Sequence, residues 1–344
     1  MSGIDVVVCP DFAGPLSRVF EARTLLFLGS WLEHDGASRS WPLHVVCTGE
    51  PPASVRELAE RCGGLVQVRE GFSGLGNRIM NRLRGLEIES RTGRILMVDC
   101  DCIVLRDLRP LLELGDCFAA VVGPRNPLPA AAWQEIFQVA GVKMPAERVE
   151  PWVLRAADRL PREEVRRTER EPMPPYFQAA VYLVPARSSL RANWERIQRL
   201  LSQRYADRPY PYDRFWKKTQ CALAICVAIL AEEGIPWRLA PIAINVSIPI
   251  YAAGDVSFEE TLIFHAPTIF RHGPGDEPLD PIAELELYRE SRIRGLYAES
   301  RAQGLLRWLR GRSRPRGAES ALKVSDRLGE LTERYVAPAF ETSG

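Results

Sequence analysis

Two carboxylates separated by a single residue stand out in this chain of 344 residues. Asp99 and Asp101 follow the apolar run Ile95–Val98, and such a run is typical of a buried strand. In a strand, side chains at positions i and i+2 share one face and lie roughly 6.6 Å apart, at a rise of about 3.3 Å per residue. Because buried carboxylates need a positive partner, the pair predicts a site for Mg²⁺ or Mn²⁺, which prefer oxygen ligands and often bind substrate phosphates.

Other side chains with suitable chemistry lie at the ends of further predicted strands. Asp11 follows the first strand and can hydrogen-bond a base or a ribose, and His265 ends a late strand, where its imidazole can complete a metal site. Taken singly, each also fits a structural role, as a turn former or as a hydrogen-bonded core histidine. Cys100 and Cys102 alternate with the two acids, so we expect them to face away from the acids as small core residues, with a Cys-x-Cys metal site as the alternative.

The segment GLGNRIMNRLRGL, residues 74–86, predicts a helix whose start can meet a phosphate. Its glycines let the backbone approach a ligand near a helix N-terminus. Asn77, Arg78, Asn81 and Arg82 share roughly one side of this helix, so they can bind a ligand that carries a phosphate. The alternative is an exposed polar face.

The first 125 residues alternate strand and helix patterns, which supply the elements that could bring these side chains together. The predicted strands are Ile4–Cys9, Leu43–Cys47, Leu65–Val68, Ile95–Val98 and Cys117–Val122, and the helices between them are Pro15–Leu32, Ser54–Arg61 and Leu75–Leu86. This alternation indicates an α/β fold with a mixed, mostly parallel central sheet flanked by helices. Since such sheets bind ligands beyond the carboxyl ends of their strands, we expect Asp11 and Asp99 to face the same crevice.

The pattern changes after residue 125. Residues 125–175, rich in proline and charge, predict an insertion that serves as an acceptor loop or a lid. Strands at Phe177–Val184 and Thr261–Phe264 and helices at Ser188–Tyr205 and Thr219–Glu232 complete a predicted domain of residues 1–280. Residues 281–344 predict a helical, basic C-terminal extension, which either packs on the domain as a solvated helix or lies on an anionic membrane surface.

Composition limits the classes of function. The net charge of +1 at pH 7 gives no general attraction to nucleic acid, so no nucleic-acid partner is predicted. Eight cysteines without metal-finger spacing fit a reducing compartment. Neither a signal peptide nor an apolar stretch of roughly 18 residues is evident. A cytoplasmic protein is predicted, able to contact the inner face of the membrane through the basic C-terminal helix.

Residues 95–108, with Asp99, Asp101 and the pair Asp107-Leu108, resemble the Asp-x-Asp segment of nucleotide-sugar glycosyltransferases of the GT-A fold, and most of all the family 8, glycogenin-like branch. Later segments resemble motifs of this branch in the same order, namely PYFQAAVYLVPA (175–186), TQCALAICVAIL (219–230), INVSIPIY (244–251) and IFHAPTIFRHG (263–273). The resemblance implies a GT-A fold and transfer of a sugar from a nucleotide-diphospho-sugar, with a UDP-sugar favoured, to a glycan, lipid-linked or small-molecule acceptor. It also implies Mn²⁺ or Mg²⁺ bound by Asp101 and His265, with Asp99 on the metal or on the ribose. For the helix at residues 74–86 it implies donor binding, with Arg78 near the diphosphate or Asn81 near the sugar.

The resemblance implies less about the chemical step. A retaining enzyme, which the branch favours over an inverting one, offers an amide such as Gln220 or Gln178 to the reacting face. An inverting enzyme needs a base, for which Asp213 is the candidate. The sequence departs from the branch at Gln178, Ala180 and Thr219, where the branch has Asn, Gly and Asp. It also lacks the Gly and Lys-Pro-Trp that usually follow the late histidine.

Two alternatives share these sequence features. Haloacid-dehalogenase phosphatases also place Asp-x-Asp after an apolar strand, with the first acid, here Asp99, as nucleophile. They need a later lysine as well, a role that would fall to Lys217 or Lys218, and an acidic pair after a strand. The second alternative is a non-catalytic nucleotide-sugar-binding homologue that kept the fold.

Overall fold

The computed structural model describes residues 3–72, 80–152, 171–205, 219–253, 256–267, 269–270, 280–289 and 316–341. The strands of these ranges are β1 (Asp5–Val8), β2 (Leu43–Thr48), β3 (Leu65–Arg69), β4 (Arg94–Val98), β5 (Cys102–Val104), β6 (Phe118–Val122), β7 (Phe177–Pro185), β8 (Trp237–Leu239) and β9 (Ile263–His265). The helices are α1 (Ser17–Glu33), α2 (Ala53–Arg61), α3 (Ala130–Ala140), α4 (Leu190–Tyr205), α5 (Thr219–Glu232), α6 (Ile248–Ala253), α7 (Pro281–Tyr288), α8 (Arg316–Leu331) and α9 (Ala337–Glu341). The α/β class predicted from the strand-helix alternation is confirmed.

The chain divides into two compact units. The first contains Met1–Cys9, Glu70–Val98 and Pro110–Pro241, and the second contains Pro10–Arg69, Asp99–Arg109 and Ile242–Gly344.

Five strands form the sheet of the first unit, in the order β1-β4-β7-β6-β8. β1 pairs with β4 and β6 with β8 in parallel, whereas β7 is antiparallel to both β4 and β6. Residues of β1, β4, β6 and β7 are almost all buried. Helix α5 packs on β7, and α4 packs on α5. The sequence of α5 is apolar all round, as expected of a helix buried between layers.

The predicted helix Leu75–Leu86 agrees with the structure at Met80 and Asn81, which are α-helical, and differs from it beyond Asn81. Residues 73–79 lie outside the described ranges, and Arg82–Glu87 forms a 3₁₀-helix rather than an α-helix. The backbone here approaches the sheet closely, because a Cβ atom at Gly85 would lie 2.7 Å from the Met97 side chain and 2.9 Å from that of Val7. Close contact of this 3₁₀-helix with β1 and β4 therefore replaces the last part of the regular helix that the apolar spacing predicts.

In the second unit, β2 pairs with β3 in parallel, and β5 pairs with β9 in antiparallel fashion. Helix α1 packs against α2 and β5, and α8 packs against α6 and α1. Among β1–β4 and β6–β8, three parallel pairings (β1 with β4, β2 with β3, β6 with β8) accompany two antiparallel ones. The predicted mixed, mostly parallel arrangement is thus confirmed.

The C-terminal helices are attached to α1 through Glu33. Its carboxylate accepts a hydrogen bond from the Tyr335 hydroxyl at 2.7 Å, lies 2.9 Å from Arg327 Nη2, and also pairs with Arg334. Burial alone would raise the pKa of Glu33, but these donors outweigh it and lower the pKa below its usual value. Residues 290–315, which hold most of the predicted basic helix, lie outside the described ranges. No helix within those ranges has the length and apolar character needed to cross a bilayer.

Candidate metal centre

The two acids that follow β4 enter a tight turn in the second unit. Immediately after Val98, the Cys102 N–H donates to the Asp99 carbonyl at 3.1 Å, which closes a β-turn. Strand β5 then begins, and its pairing with β9 places Cys102 directly opposite His265. The turn and this pairing bring Asp101 beside His265.

Asp101 and His265 form the centre of the site. The Oδ1 atom of Asp101 lies 3.4 Å from Nε2 of His265, and the side chains are only 14% and 16% exposed. Main-chain hydrogen bonds fix both residues, from Ala266 N–H to the Asp101 carbonyl at 2.8 Å and from His265 N–H to the Val246 carbonyl at 2.7 Å. Two ligand atoms at this spacing can both bind one cation at about 2.1 Å. The carboxylate and the imidazole therefore fit a divalent metal ion.

Cys102 is a third potential ligand, although strand alternation favours a role for it as a core residue. Ligand atoms of Asp101, Cys102 and His265 all lie within 4.8 Å of one another. The expectation that Cys102 faces away from the acids is wrong in its case, because the turn interrupts the strand alternation on which that expectation depends. Within the described ranges, Asp99 is not a member of this cluster, so its metal-binding role stays a prediction.

Arg23 on α1 places a positive charge beside the cluster. Its Nη1 lies 3.7 Å from Oδ2 of Asp101, an ion pair that is longer than a hydrogen bond. Its Nε donates to the Ile269 carbonyl at 2.9 Å, and the side chain is 17% exposed. The sequence offered only a weak signal for this residue, a cation within the apolar helix VFEARTLLFLG.

The chain after β9 is held in a defined turn. Ile269 N–H donates back to the Ala266 carbonyl at 3.1 Å. Phe270 adopts a φ of 54°, a left-handed conformation that costs a residue other than glycine on the order of 1 kcal/mol or more. Both Ile269 and Phe270 are fully buried, which holds this conformation in place. The hydrogen bond from Arg23 therefore ends on a fixed carbonyl, and the guanidinium is oriented by it.

Asp11, the predicted base or ribose ligand, also lies in the second unit and is buried. Its Oδ1 accepts hydrogen bonds from the Thr48 hydroxyl at 2.8 Å and from Ala13 N–H at 3.2 Å. These contacts tie the end of β2 to the segment after β1. The contact of Asp11 with a nucleotide stays a prediction.

Of the predicted donor-binding residues between β3 and β4, the structure describes Arg82, which begins the 3₁₀-helix Arg82–Glu87, and Asn81. The Asn81 side chain is buried, and its Oδ1 accepts a hydrogen bond from Phe72 N–H at 2.8 Å. The contact gives Asn81 a structural role and makes the alternative of an exposed polar face wrong at this position. Asn77 and Arg78 lie outside the described ranges.

The predicted catalytic amides lie in the first unit. Gln220, at the start of α5, accepts a 2.5 Å hydrogen bond at Oε1 from the Tyr176 hydroxyl. Burial, together with the nearby Cys221 thiol, raises the pKa of Tyr176 well above its usual value, so the hydroxyl remains a donor at neutral pH. Gln178 is half-buried on β7. Asp213 lies outside the described ranges.

The Asp107-Leu108 pair, which follows the two acids in the sequence, has a structural role. Asp107 Oδ1 accepts hydrogen bonds from the N–H groups of Ser38 at 3.1 Å and Arg109 at 3.2 Å, and Oδ2 pairs with the Arg109 side chain. Leu108 N–H donates to the Ser38 hydroxyl at 2.9 Å. The main chain at position 36 lies so close to Asp107 that only glycine fits there, because a Cβ atom on Gly36 would lie 2.4 Å from the Asp107 Cα.

Asp107→Asn is expected to lower the free energy of unfolding by about 1–2 kcal/mol at pH 7, because it removes a charged acceptor of several hydrogen bonds. Burial alone would raise the pKa of Asp107, but the donors from Arg109 and Ser38 lower it from 3.8 to about 2. The stabilisation is therefore complete above pH 3.8 and is lost as the pH falls through about 2. Urea titrations across this range should show the wild type and the variant converging at low pH. Exposed Asp35→Asn is the control, and an equal loss in it would contradict the assignment.

Neither the protein-family models nor the curated proteins contain a match to this chain. Among solved structures, it is similar to the galactosyltransferase LgtC in complex with donor and acceptor sugar analogs, at 16% identity over 85% of this chain and 100% of that one, with a TM-score of 0.47. The chain is also similar to an active-site mutant of LgtC, at 15% identity over 85% of this chain and 100% of that one, with a TM-score of 0.49. Mouse xyloside xylosyltransferase 1 gives 14% identity over 77% and 98%, with a TM-score of 0.41. TM-scores below 0.5 do not define a family for the chain.

Proposed function

We propose that the chain is a metal-dependent glycosyltransferase that moves a sugar from a nucleotide-diphosphate donor, with a UDP-sugar favoured, to a glycan, lipid-linked or small-molecule acceptor. The proposal rests on the arrangement of Asp101, His265 and Arg23. A carboxylate and an imidazole lie 3.4 Å apart, and a guanidinium lies 3.7 Å from the same carboxylate. Two metal ligands beside a fixed guanidinium suit a diphosphate. Such an anion binds a divalent metal ion and still carries negative charge that the guanidinium can pair with.

Asp101 and His265 would hold the cation, with Asp99 as a further predicted ligand. A cation bound there supplies charge stabilisation to the diphosphate as the bond to the sugar breaks. The imidazole favours Mn²⁺ over Mg²⁺ in this position, because Mg²⁺ prefers an all-oxygen shell.

Arg23 contributes a second positive charge to the same leaving group. A guanidinium presents a planar fork of N–H donors that matches two phosphate oxygens. The Nε bond to Ile269 fixes the plane of this fork in advance, so little conformational freedom is lost on binding. Since negative charge on the diphosphate grows in the transition state, the contact strengthens as the reaction proceeds.

For the chemical step, we propose retention of configuration, with the Gln220 or Gln178 amide at the reacting face. The Tyr176 hydroxyl occupies Oε1 of Gln220, so the NH₂ group of this amide is the part available to a substrate. An inverting reaction with Asp213 as base is the alternative, and the stereochemistry of the product separates the two.

A panel of nucleotide sugars tests the proposal. Incubation with Mn²⁺ should release nucleoside diphosphate from at least one donor, and addition of EDTA should stop the release. Binding of nucleotide without turnover of any donor would instead support the non-catalytic alternative. Cleavage of phosphomonoesters with no donor turnover would support the phosphatase alternative.

A further inference from the structure

We propose that Asp101, Cys102 and His265 form a binding site for a thiophilic divalent cation of the class of Zn²⁺ or Cd²⁺, and that such a cation excludes Mn²⁺. The ligand atoms of the three side chains lie within 4.8 Å of one another. The inference shares two residues with the proposed donor site, but it does not depend on sugar transfer.

The spacing of the ligand atoms fits a tetrahedral ion. Zinc–nitrogen and zinc–oxygen distances of about 2.0 Å correspond to a tetrahedral edge of roughly 3.3 Å. The observed separation between Asp101 Oδ1 and His265 Nε2 is 3.4 Å. With a zinc–sulfur distance of about 2.3 Å, the edges to sulfur are roughly 3.6 Å. From separations of at most 4.8 Å, the Cys102 sulfur needs to move by little more than roughly 1 Å, which is within reach of a small side-chain rotation.

The charge balance also favours a thiophilic ion. Binding displaces the thiol proton to solvent, so a thiolate and a carboxylate together neutralise one divalent cation, with the imidazole neutral. A net charge of zero on the metal ion and its three ligands suits this position, because Cys102 is fully buried and Asp101 is only 14% exposed. Mg²⁺ and Mn²⁺ gain little from a soft sulfur ligand, whereas Zn²⁺ and Cd²⁺ gain much. The positive charge of Arg23 repels every divalent cation equally, so it does not change which divalent metal the three ligands prefer.

Three protein ligands leave one tetrahedral position for water or an anion. An ion held by all three side chains occupies the Asp101 and His265 atoms that a hard cation requires. The identity of the bound metal would then set whether the site accepts Mn²⁺. The inferred regulation is therefore exclusion of Mn²⁺ by a thiophilic cation, reversed when that cation is removed.

Titration of the full chain with Cd²⁺ tests the inference through thiolate-to-metal charge-transfer absorption. The wild type should bind one Cd²⁺ per chain with this absorption and should release bound Mn²⁺, followed by electron paramagnetic resonance. Cys102→Ala should lose the absorption and bind Cd²⁺ at least about tenfold more weakly, because even partners outside the first shell contribute roughly 10- to 100-fold to metal affinity. Cys100→Ala, at a buried cysteine two positions earlier, is the matched control and should retain both properties.

Absence of the absorption in the wild type, or its persistence in Cys102→Ala at unchanged affinity, would overturn the inference. Circular dichroism establishes that the variants fold. If Cys102→Ala does not fold, Asp101→Asn serves instead, and unchanged Cd²⁺ affinity in it would also overturn the inference. Mn²⁺-dependent binding of UDP is measured separately, so failure of the proposed donor site and failure of the cadmium site are distinguished.

Discussion

Asp101→Asn is expected to weaken Mn²⁺-dependent binding of UDP by at least roughly 100-fold, the upper end of what partners outside the first shell contribute to metal affinity. The substitution replaces the carboxylate with a neutral amide. In the metal-free protein, this carboxylate carries the only formal negative charge among the three clustered ligand side chains. Folding should be little affected, because the hydrogen bond from Ala266 N–H is made to the main-chain carbonyl of Asp101 and is retained. Isothermal titration calorimetry with Mn²⁺ and UDP measures the binding, and thermal unfolding measures stability.

Asp99→Asn is the comparison variant for this prediction, since Asp99 is itself a further predicted ligand. Both variants exchange one carboxylate for an amide in the same turn, but Asp99 is not part of the three-residue cluster. We therefore expect a smaller loss of UDP affinity in Asp99→Asn than in Asp101→Asn. Unchanged UDP affinity in a folded Asp101→Asn protein would contradict the account.

Arg23→Gln is expected to weaken binding of Mn²⁺-pyrophosphate and Mn²⁺-UDP by about 10-fold or more, the usual worth of a hydrogen bond to a charged group. Binding of Mn²⁺ alone should be unchanged or tighter, since a positive charge 3.7 Å from the Asp101 carboxylate is removed. Calorimetry with the metal alone, and then with pyrophosphate, separates the two effects. Pyrophosphate is the sharper probe because it carries the diphosphate without the base or the sugar.

The control for Arg23→Gln lies on the same helix. Arg18 pairs with Glu21 three residues along α1, so Arg18→Gln removes a cation from the same element at a different place. It should leave both binding constants unchanged. If Arg23→Gln weakened Mn²⁺ alone as much as Mn²⁺-pyrophosphate, Arg23 would only position Asp101 and would not bind the diphosphate.

Elements with a strong pattern could be predicted from the sequence. The apolar runs of β1, β2, β4 and β7 and the all-apolar helix α5 match the predicted elements to within a residue or two. The three-residue strands β5 and β8 are not predicted from the sequence. The 3₁₀-helix Arg82–Glu87 was predicted as α-helix because its apolar spacing is the same, while close packing of Gly85 on the sheet decides the outcome.

The sequence predicts some residues of the candidate site and not others, and the difference has a physical cause. Asp101 and His265 each follow or end an apolar strand, so pattern and order together could propose them. Strand alternation predicts the wrong side for Cys102, because a β-turn interrupts the alternation between Asp99 and Cys102. Arg23 was missed because its partners, Asp101 and Ile269, lie far along the chain, and only the packing of α1 shows that they are neighbours.

Anomalous diffraction from crystals grown with Mn²⁺ and UDP tests most directly the claim that Asp101 and His265 hold the cation that binds the donor diphosphate. We predict one strong manganese peak within bonding distance of Asp101 and His265, with the UDP diphosphate on the same ion and an oxygen of that diphosphate hydrogen-bonded to Arg23. Density for UDP with the manganese peak at other residues, or with no manganese peak at all, would contradict the account.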